Sequence, residues 1–363
     1  MSIYSLYRHK YNKAMLGKIK VLIISVLTFI MKTTGGYSMS ILVLGGAGYI
    51  GSHTVYALIE QGYDVVIVDN LQTGFLSLVH PKAKFYQGDL RDQAFLNTVF
   101  EKETIDGVIH FAANSLVGVS MKEPLEYYHN NVYGMMVLLE TMRQHNVKNI
   151  VFSSTAATYG EPKVVPITED SDTFPTNTYG ETKLAMEKMM YWCEKAYGMK
   201  YIALRYFNAC GAHPNGKIGE LHNPETHLLP LILQVPLNKR EAISVFGTDY
   251  PTKDGTCIRD YIHVCDLADA HIKAIQHLLD GNDSNIINLG NGEGYSVLEM
   301  IQATEEVTGQ SIKTILCERR AGDPAVLVAC NDKAQEVLGW KPKYTDIKEI
   351  ISTAWNFYTK NNS

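Results

Sequence analysis

Tyr179 and Lys183 stand four residues apart in Tyr179-Gly180-Glu181-Thr182-Lys183, at the head of a run with apolar residues at helical spacing (Leu184, Met186, Met189, Met190). Residues four apart share one face of a helix. A free phenol, with a pKa of about 10, is a poor base at neutral pH. An ammonium group close by favours the phenolate and lowers that pKa. Upstream, the apolar strand Asn149-Ile150-Val151-Phe152 runs into the hydroxyl-rich segment Ser153-Ser154-Thr155. Thr155 is placed to hydrogen-bond an alcohol and the phenol together and to pass a proton between them. This trio suits removal of a proton from a substrate hydroxyl. The Tyr-x-x-x-Lys spacing alone also describes an ordinary core tyrosine, so the reading depends on the surrounding elements.

Those elements begin at Ser40-Ile41-Leu42-Val43-Leu44, an apolar, partly β-branched run of the kind a buried parallel strand requires. Glycines follow at once in Gly45-Gly46-Ala47-Gly48-Tyr49-Ile50-Gly51, then a helical pattern with Val55, Leu58 and Ile59, then a second apolar run, Val65 to Val68, ending on Asp69. A strand, glycine turn, helix, strand and acid in this order form a dinucleotide-binding unit. Glycines let the backbone approach a pyrophosphate, whose charge sits at the helix N-terminus. Asp69 accepts hydrogen bonds from ribose hydroxyls and repels a 2′-phosphate, which favours NAD over NADP. A positively charged nicotinamide beside Tyr179 would lower its pKa further.

Strand and helix signals continue to alternate. The polar loop Asn70 to Gly74 is placed to wrap the adenosine end of the cofactor, and Lys84 to Gly88 reads as a third strand ending at Asp89-Leu90. Asp89 has two readings, an acceptor for the adenine amino group or a helix-capping turn residue. Gly107 to Phe111 reads as a strand that ends in the small residues Ala112-Ala113 before Asn114-Ser115, as close approach of a ligand needs. Glu123 to Gln144 reads as one long helix with more apolar surface than a single sheet face uses; within it, Asn131 is positioned to reach the sheet's carboxyl edge. The pattern predicts an α/β protein: a Rossmann-type doubly wound parallel sheet over residues 39–206, and a smaller α/β C-terminal substrate domain over 207–363, some of whose segments return to the first domain.

Composition narrows the class. The chain has 363 residues, 46% hydrophobic and 20% charged, with a net charge of −5, so no basic footprint argues for nucleic acid. Six cysteines without a CxxC pair predict reduced thiols. Residues 1–38 fall outside the fold. Their apolar run Val21 to Met31 is too short to span a bilayer; it resembles a signal-peptide core, but no small-x-small cleavage pattern follows. Thr34-Gly35-Gly36 can be encoded by a purine-rich ribosome-binding sequence shortly before Met39, so translation is expected to start naturally at Met39, with residues 1–38 a translated leader and not protein made in the cell. The intact mass of the native protein tests this: a mass that includes Met1 rejects it. No internal repeat marks the chain, and no membrane partner is expected.

Taken together, these motifs resemble the NAD-dependent UDP-glucose 4-epimerases, also called UDP-galactose 4-epimerases, of the extended short-chain dehydrogenase/reductase superfamily. The resemblance runs from about Met39 to the C-terminus. It rests on the glycine turn, Asp69-Asn70-Leu71, Gly88-Asp89-Leu90, His110-Phe111-Ala112-Ala113, Ser153 to Gly160, Tyr179-x-x-x-Lys183, Leu204-Arg205-Tyr206-Phe207-Asn208, Gly211-Ala212-His213-Pro214, Asp249 to Val264 and Arg319 to Pro324. It implies Tyr179 as base, Thr155 as its hydroxyl partner and Lys183 as its lysine. It implies NAD held by Gly45, Gly48, Tyr49, Ile50, Gly51, Asp69, Asn70, Asp89, Leu90, Phe111, Ala112, Ala113, Asn131, Tyr179, Lys183 and Tyr206. The UDP-sugar would meet Thr155, Tyr179, Asn208, His227, Leu228, Ser244 and Phe246, with Arg259 and Arg320 on the diphosphate and Asp323 on the uridine ribose. A guanidinium's paired donors suit phosphate, which supports both arginines independently. The resemblance further implies UDP-galactose and UDP-glucose as substrates, galactose metabolism, a homodimer and the cytoplasm.

This chain departs from the family pattern at Ser115, where many members carry lysine, and at His227, where others have asparagine. Leu327 occupies a position that helps decide whether an N-acetyl group fits, which leaves UDP-N-acetylglucosamine open. His213, His222 and His227 have no metal-ligand spacing, so no metal is expected. A sugar-nucleotide 4,6-dehydratase is the nearest rival, but it needs an acid and base after the threonine, where this chain has Ala156-Ala157. An NAD-sensing protein without catalysis would not need Tyr179 and Lys183 together, and an NADPH-dependent reductase conflicts with Asp69.

Overall fold

A computed structural model describes residues 38–320 and 323–361. The expected leader lies outside them, apart from Ser38. The main sheet is built from β1 (Ser40–Leu44), β2 (Asp64–Asp69), β3 (Lys84–Gln87), β4 (Gly107–His110), β5 (Asn149–Thr155) and β6 (Lys200–Tyr206). The chain then passes through β7 (Asn208–Cys210), β8 (Ile243–Phe246) and β9 (Ile258–His263) before β10 (Asn285–Leu289) rejoins the main sheet. The order is β10-β6-β5-β4-β1-β2-β3, and every pairing is parallel.

Burial on both faces explains why these strands are apolar throughout. Leu42, Leu44, Val66 and Val68 enter one core and Ile41, Val43, Val65 and Ile67 the other. Helix α1 (Tyr49–Glu60) connects β1 to β2, and α2 (Gln93–Lys102) connects β3 to β4. The order reverses between β1 and β4, so loops leaving their carboxyl ends diverge and open a crevice. Leu44 lies in register with both Val68 and His110, and Thr155 with Tyr206, which brings their following residues to the same edge.

The helix expected over 123–144 is interrupted. A π-helical stretch, Tyr128–Tyr133, separates a short α-helical turn from α3 (Gly134–Gln144). The wider turn buries Asn130 and Asn131. Asn131 Nδ2 donates to the Asn114 carbonyl and to Thr182 Oγ1, each at 3.1 Å, while its Oδ1 accepts from Asn114 N at 2.8 Å. The asparagine thereby pins the loop after β4 to α4 (Thr178–Tyr197).

The C-terminal part adds α5 (Leu228–Leu233), α6 (Val264–Leu279), β11 (Gly294–Ser296), α7 (Val297–Thr308), β12 (Thr314–Cys317), β13 (Val326–Leu327) and α8 (Ile347–Lys360). Strands β11, β9 and β13 form a second sheet, joined by β7 pairing with β9, and β12 pairs with β8. Helix α6 packs on the main sheet through Leu267, Ala270, Ala274 and Ile275, which share a core with Ile41 and Val151. Helices α5, α7 and α8 enclose a separate core around Ile232, Met300 and Ile350. No described helix is long and apolar enough to cross a membrane. The six cysteines are free thiols.

Candidate active site

A cavity of about 670 Å³ lies at the carboxyl edge of the main sheet. Its wall brings together Gly45, Gly48, Tyr49, Ile50, Gly51, Asp69, Asn70, Leu90, Phe111, Ala112 and Ala113 with Thr155, Tyr179, Lys183 and Tyr206. The same cavity is bounded by Asn208, His227, Leu228, Ser244, Phe246, Arg259, Arg320 and Asp323. Residues separated by more than two hundred positions in the chain therefore face one space.

The glycine turn follows from close backbone packing. A Cβ on Gly51 would lie 2.1 Å from the Gly45 carbonyl oxygen, and one on Gly45, whose φ is +79°, would lie 2.7 Å from Ala112 N. Gly48 differs. Its φ of −83° suits any residue, and a Cβ there would meet only the Gly45 carbonyl oxygen, at 3.4 Å. The protein's own packing gives little reason for glycine at this position, but a ligand lying against the backbone does. Gly48 caps α1 without a side-chain hydrogen bond, and the helix has no acidic residue in its first turn. Its N-terminal N–H groups and positive dipole end suit a pyrophosphate.

Asp69 Oδ2 accepts from Ala47 N at 2.9 Å and Oδ1 from Leu71 N at 2.8 Å. Each oxygen retains a further lone pair for a ribose hydroxyl. Burial raises its pKa, while the two backbone donors oppose the rise. These observations fit the dinucleotide expected from sequence. Gly48→Val should reduce retained nucleotide at least tenfold, by the bulk of its side chain against the ligand, yet shift the stability of nucleotide-free protein by no more than about 1 kcal/mol. Nucleotide released on denaturation and thermal unfolding of stripped protein check the two halves separately; Gly51→Ala, by contrast, should damage folding itself.

Asp89 and Asn131 do not line the cavity. The Asp89 carboxylate accepts from Arg91 N, Nε and Nη2 at 2.9, 2.9 and 2.7 Å and from Asn70 Nδ2 at 3.2 Å. The Arg91 hydrogen bonds pull its pKa down to about 2. It is a turn residue beside the cavity-lining Gly88 and Leu90, and the cap of α2 is Asp92, whose side chain accepts from Phe95 N. Asn130, rather than Asn131, lines the cavity. A 3.6-residue period cannot identify the inward-facing asparagine through a π turn.

Helix α4 begins with Asn177, whose side chain accepts from Gly180 N at 2.9 Å, so Tyr179 and Lys183 occupy its first turns. Lys183 is buried, and its Nζ donates to the Ser153 carbonyl at 2.7 Å and lies 5.8 Å from the Tyr179 ring centroid. Burial pushes its pKa down to about 7, against the opposing charge of Glu187. Burial likewise raises the Tyr179 phenol well above its usual value; Tyr206 adds to the rise and the Thr155 hydroxyl opposes it. Lys183 at this distance does not by itself offset desolvation of the phenol, and the sequence reading pairs it with a positively charged nicotinamide. A positive charge bound in the cavity would act in the required direction.

Thr155 Oγ1 accepts from Ala157 N at 3.1 Å, which fixes the hydroxyl at the end of β5. Ser153 and Tyr206 hydroxyls pair beside it, and Tyr206 was the member expected to face the cofactor. On the opposite side, Arg259 Nη1 donates to the Ile258 and Pro324 carbonyls at 2.9 and 2.8 Å. Arg320 Nε donates to Asp323 Oδ2 at 3.0 Å, and its guanidinium lies over the Phe246 ring, 4.9 Å from the centroid. Sequence reasoning did not select Asn130, Ser153, Phe207, His222 or Arg240, all of which line the cavity. Phe207 had a signal in its place directly after Tyr206; Arg240 had none.

Residues 41–290 match the NAD dependent epimerase/dehydratase family. The chain is 58% identical over 320 residues to the UDP-glucose 4-epimerase of Lacticaseibacillus casei, an alignment that spans 88% of this chain and 97% of that protein. A crystal structure of a UDP-glucose 4-epimerase superposes with a TM-score of 0.88 at 58% identity, covering 89% of this chain and 98% of the other. The Bifidobacterium longum UDP-glucose 4-epimerase, crystallised with NAD+ and UDP, superposes with a TM-score of 0.85 at 41% identity, covering 89% of this chain and 99% of that one. Similarity of this extent includes both the glycine-turn half and the arginine-bearing half of the cavity, and the chain belongs to the UDP-glucose 4-epimerase family.

Proposed function

We propose that this chain is an isomerase that interconverts UDP-galactose and UDP-glucose by inversion at C4 through a 4-keto intermediate, with NAD as its resident cofactor. The observation that carries this reading is the composition of the cavity wall around Tyr179. Among its described residues the carboxylates are Asp69 and Asp323, and the residues following Thr155 are Ala156 and Ala157. Elimination of water from the sugar lacks the acid–base pair it needs, whereas oxidation and re-reduction at one carbon need only the tyrosine and the cofactor.

Gly45, Gly48, Gly51 and Asp69 would hold the cofactor, which when bound takes hydride from C4 and returns it. Tyr179 would take the proton of the 4-hydroxyl, with Thr155 bridging phenol and substrate. Lys183 keeps its Nζ at the base of the site through the Ser153 carbonyl. Arg259 and Arg320 would pair with the diphosphate and Asp323 with the uridine ribose, which leaves the keto sugar free to turn and present its other face. The division near residue 206 is our reading as well. It is supported by the end of β6 at Tyr206 and by the separate core under α5, α7 and α8, while α6 and β10 return to the main sheet.

Proton NMR of UDP-galactose incubated with purified protein and no added cofactor tests the function. Appearance of UDP-glucose is expected; a 4-keto-6-deoxy product would mean a dehydratase, and no reaction even with added NAD would reject the reading. UDP-N-acetylglucosamine belongs in the same assay.

A homodimer is supported by the exposed Val117, Met121, Leu125, Tyr133 and Met136 before and along α3 and by Tyr191 and Trp192 on α4. An apolar surface of this extent suits a second copy of the same face. Trp192→Glu should convert the dimer to monomer in sedimentation analysis. A role in galactose metabolism and a cytoplasmic location follow from the substrates and agree with the free cysteines.

A further inference from the structure

The loop between β7 and α5 folds Glu220, His222, Glu225 and His227 toward one point, with one ligating atom from each lying within 4.8 Å of all the others. The sequence spacing gave no sign of this, because the loop turns back on itself. Glu220 is buried, with its side chain 3% exposed. Among the described residues, the ion-pair partners of Glu220 and Glu225 are the two histidines, and no lysine or arginine joins them. Two carboxylates held this close and largely buried need a positive charge beside them, which the histidines supply when protonated and a bound cation supplies otherwise.

We propose that these four side chains form a binding site for a divalent transition ion of the zinc class. The His222 distances suit two ligands of one metal ion better than two hydrogen bonds. His222 Nδ1 lies 3.4 Å from Glu220 Oε1 and 3.4 Å from Glu225 Oε2. That nitrogen is buried, and at these distances and angles it forms no well-made hydrogen bond to either carboxylate. Bonds of about 2.1 Å from a tetrahedral zinc to nitrogen and oxygen place neighbouring ligands about 3.4 Å apart. His227 Nδ1 is hydrogen-bonded to Glu220 Oε1 and would exchange that bond for one to the ion to complete the tetrahedron. Two imidazoles and two carboxylates suit zinc and its neighbours better than calcium or magnesium.

The site would act on the cavity wall rather than on the reacting atoms. The loop leads directly into Leu228, Leu229 and Pro230, which line the cavity. Metal on Nδ1 of His227 would place the ring proton on Nε2. The imidazole then presents a hydrogen-bond donor on the cavity wall that His227 lines.

Cobalt(II) provides a direct test because its visible absorption reports tetrahedral coordination. Full-length protein stripped with chelator should take up one Co2+ per chain with an intense tetrahedral spectrum, which Zn2+ displaces. Zn2+ should also raise the unfolding temperature. His222→Gln and Glu225→Gln should each weaken Co2+ binding at least tenfold and abolish the thermal shift, while metal-free unfolding of each variant shows whether it folds. A weak octahedral spectrum in the wild type, less than one ion per chain at saturation, or equal affinity in both variants would overturn the site. None of these measurements uses turnover, so the outcome is independent of whether the chain is an epimerase.

Discussion

Tyr179→Phe should lower turnover of UDP-galactose by about 10²–10⁴-fold, the range expected when a positioned general base is removed. The lost group is one oxygen, and the fold should barely register it. Thr155 retains its hydrogen bond from Ala157 N, and Lys183 retains the Ser153 carbonyl. The change in stability should stay within about 1 kcal/mol, and bound nucleotide should be unchanged. Steady-state kinetics, released nucleotide and thermal unfolding on one preparation separate the alternatives. Wild-type turnover in the variant would remove Tyr179 as the base, and a parallel fall in nucleotide content would make it a binding residue instead. A spectroscopic difference should accompany the kinetic one. Burial holds the phenol above its ordinary pKa in the free protein, so phenolate absorbance lost in the variant should appear at lower pH with NAD bound than without it.

Lys183→Met should abolish most activity, by about 10²–10⁴-fold, and at the same time stabilise nucleotide-free protein at pH 6. The sign follows from linkage. The folded-state pKa is depressed to about 7, against an unfolded value of about 10.4. Between those values the unfolded chain binds the proton and the folded chain does not, so this group's contribution becomes more favourable as pH rises. Below pH 7 both states are protonated, and the cost of burying the ammonium is fully present. Methionine removes that cost but gives up the hydrogen bond to Ser153, which leaves a net gain of about 1–3 kcal/mol at pH 6. Glu187 is not orphaned, because Arg205 Nη2 and Nε donate to it at 2.6 and 3.0 Å. Denaturant unfolding at pH 6 and pH 10 measures the effect. A variant less stable than wild type at pH 6, or a difference that does not shrink toward pH 10, would show that burial of this charge is not what strains the site.

A site that keeps a lysine ammonium and a phenol desolvated is unfavourable for folding and useful for chemistry. Such strained polar burial is what a catalytic site requires and a structural core avoids.

The sequence by itself determined the strand, glycine turn, helix and acid of the first unit. Each is local: apolar runs demand burial on two faces, and glycine admits the φ of +79° at residue 45. The helical spacing of Tyr179 and Lys183 was local too. Tertiary structure decided what no local rule contains. The π turn at Tyr128–Tyr133 chose Asn130 over Asn131 for the cavity, since a single wide turn shifts every later residue around the helix. Asp89 pairs with Arg91 across a turn two residues on, and the helix cap that the sequence also allowed it falls to Asp92. Lys183 and Tyr179 took pKa shifts set by burial, which depends on everything packed above them. The four side chains of the loop before α5 met only because the backbone folds back there. Spacing along a chain predicts proximity on a helix or a strand; in a loop only the fold can supply it.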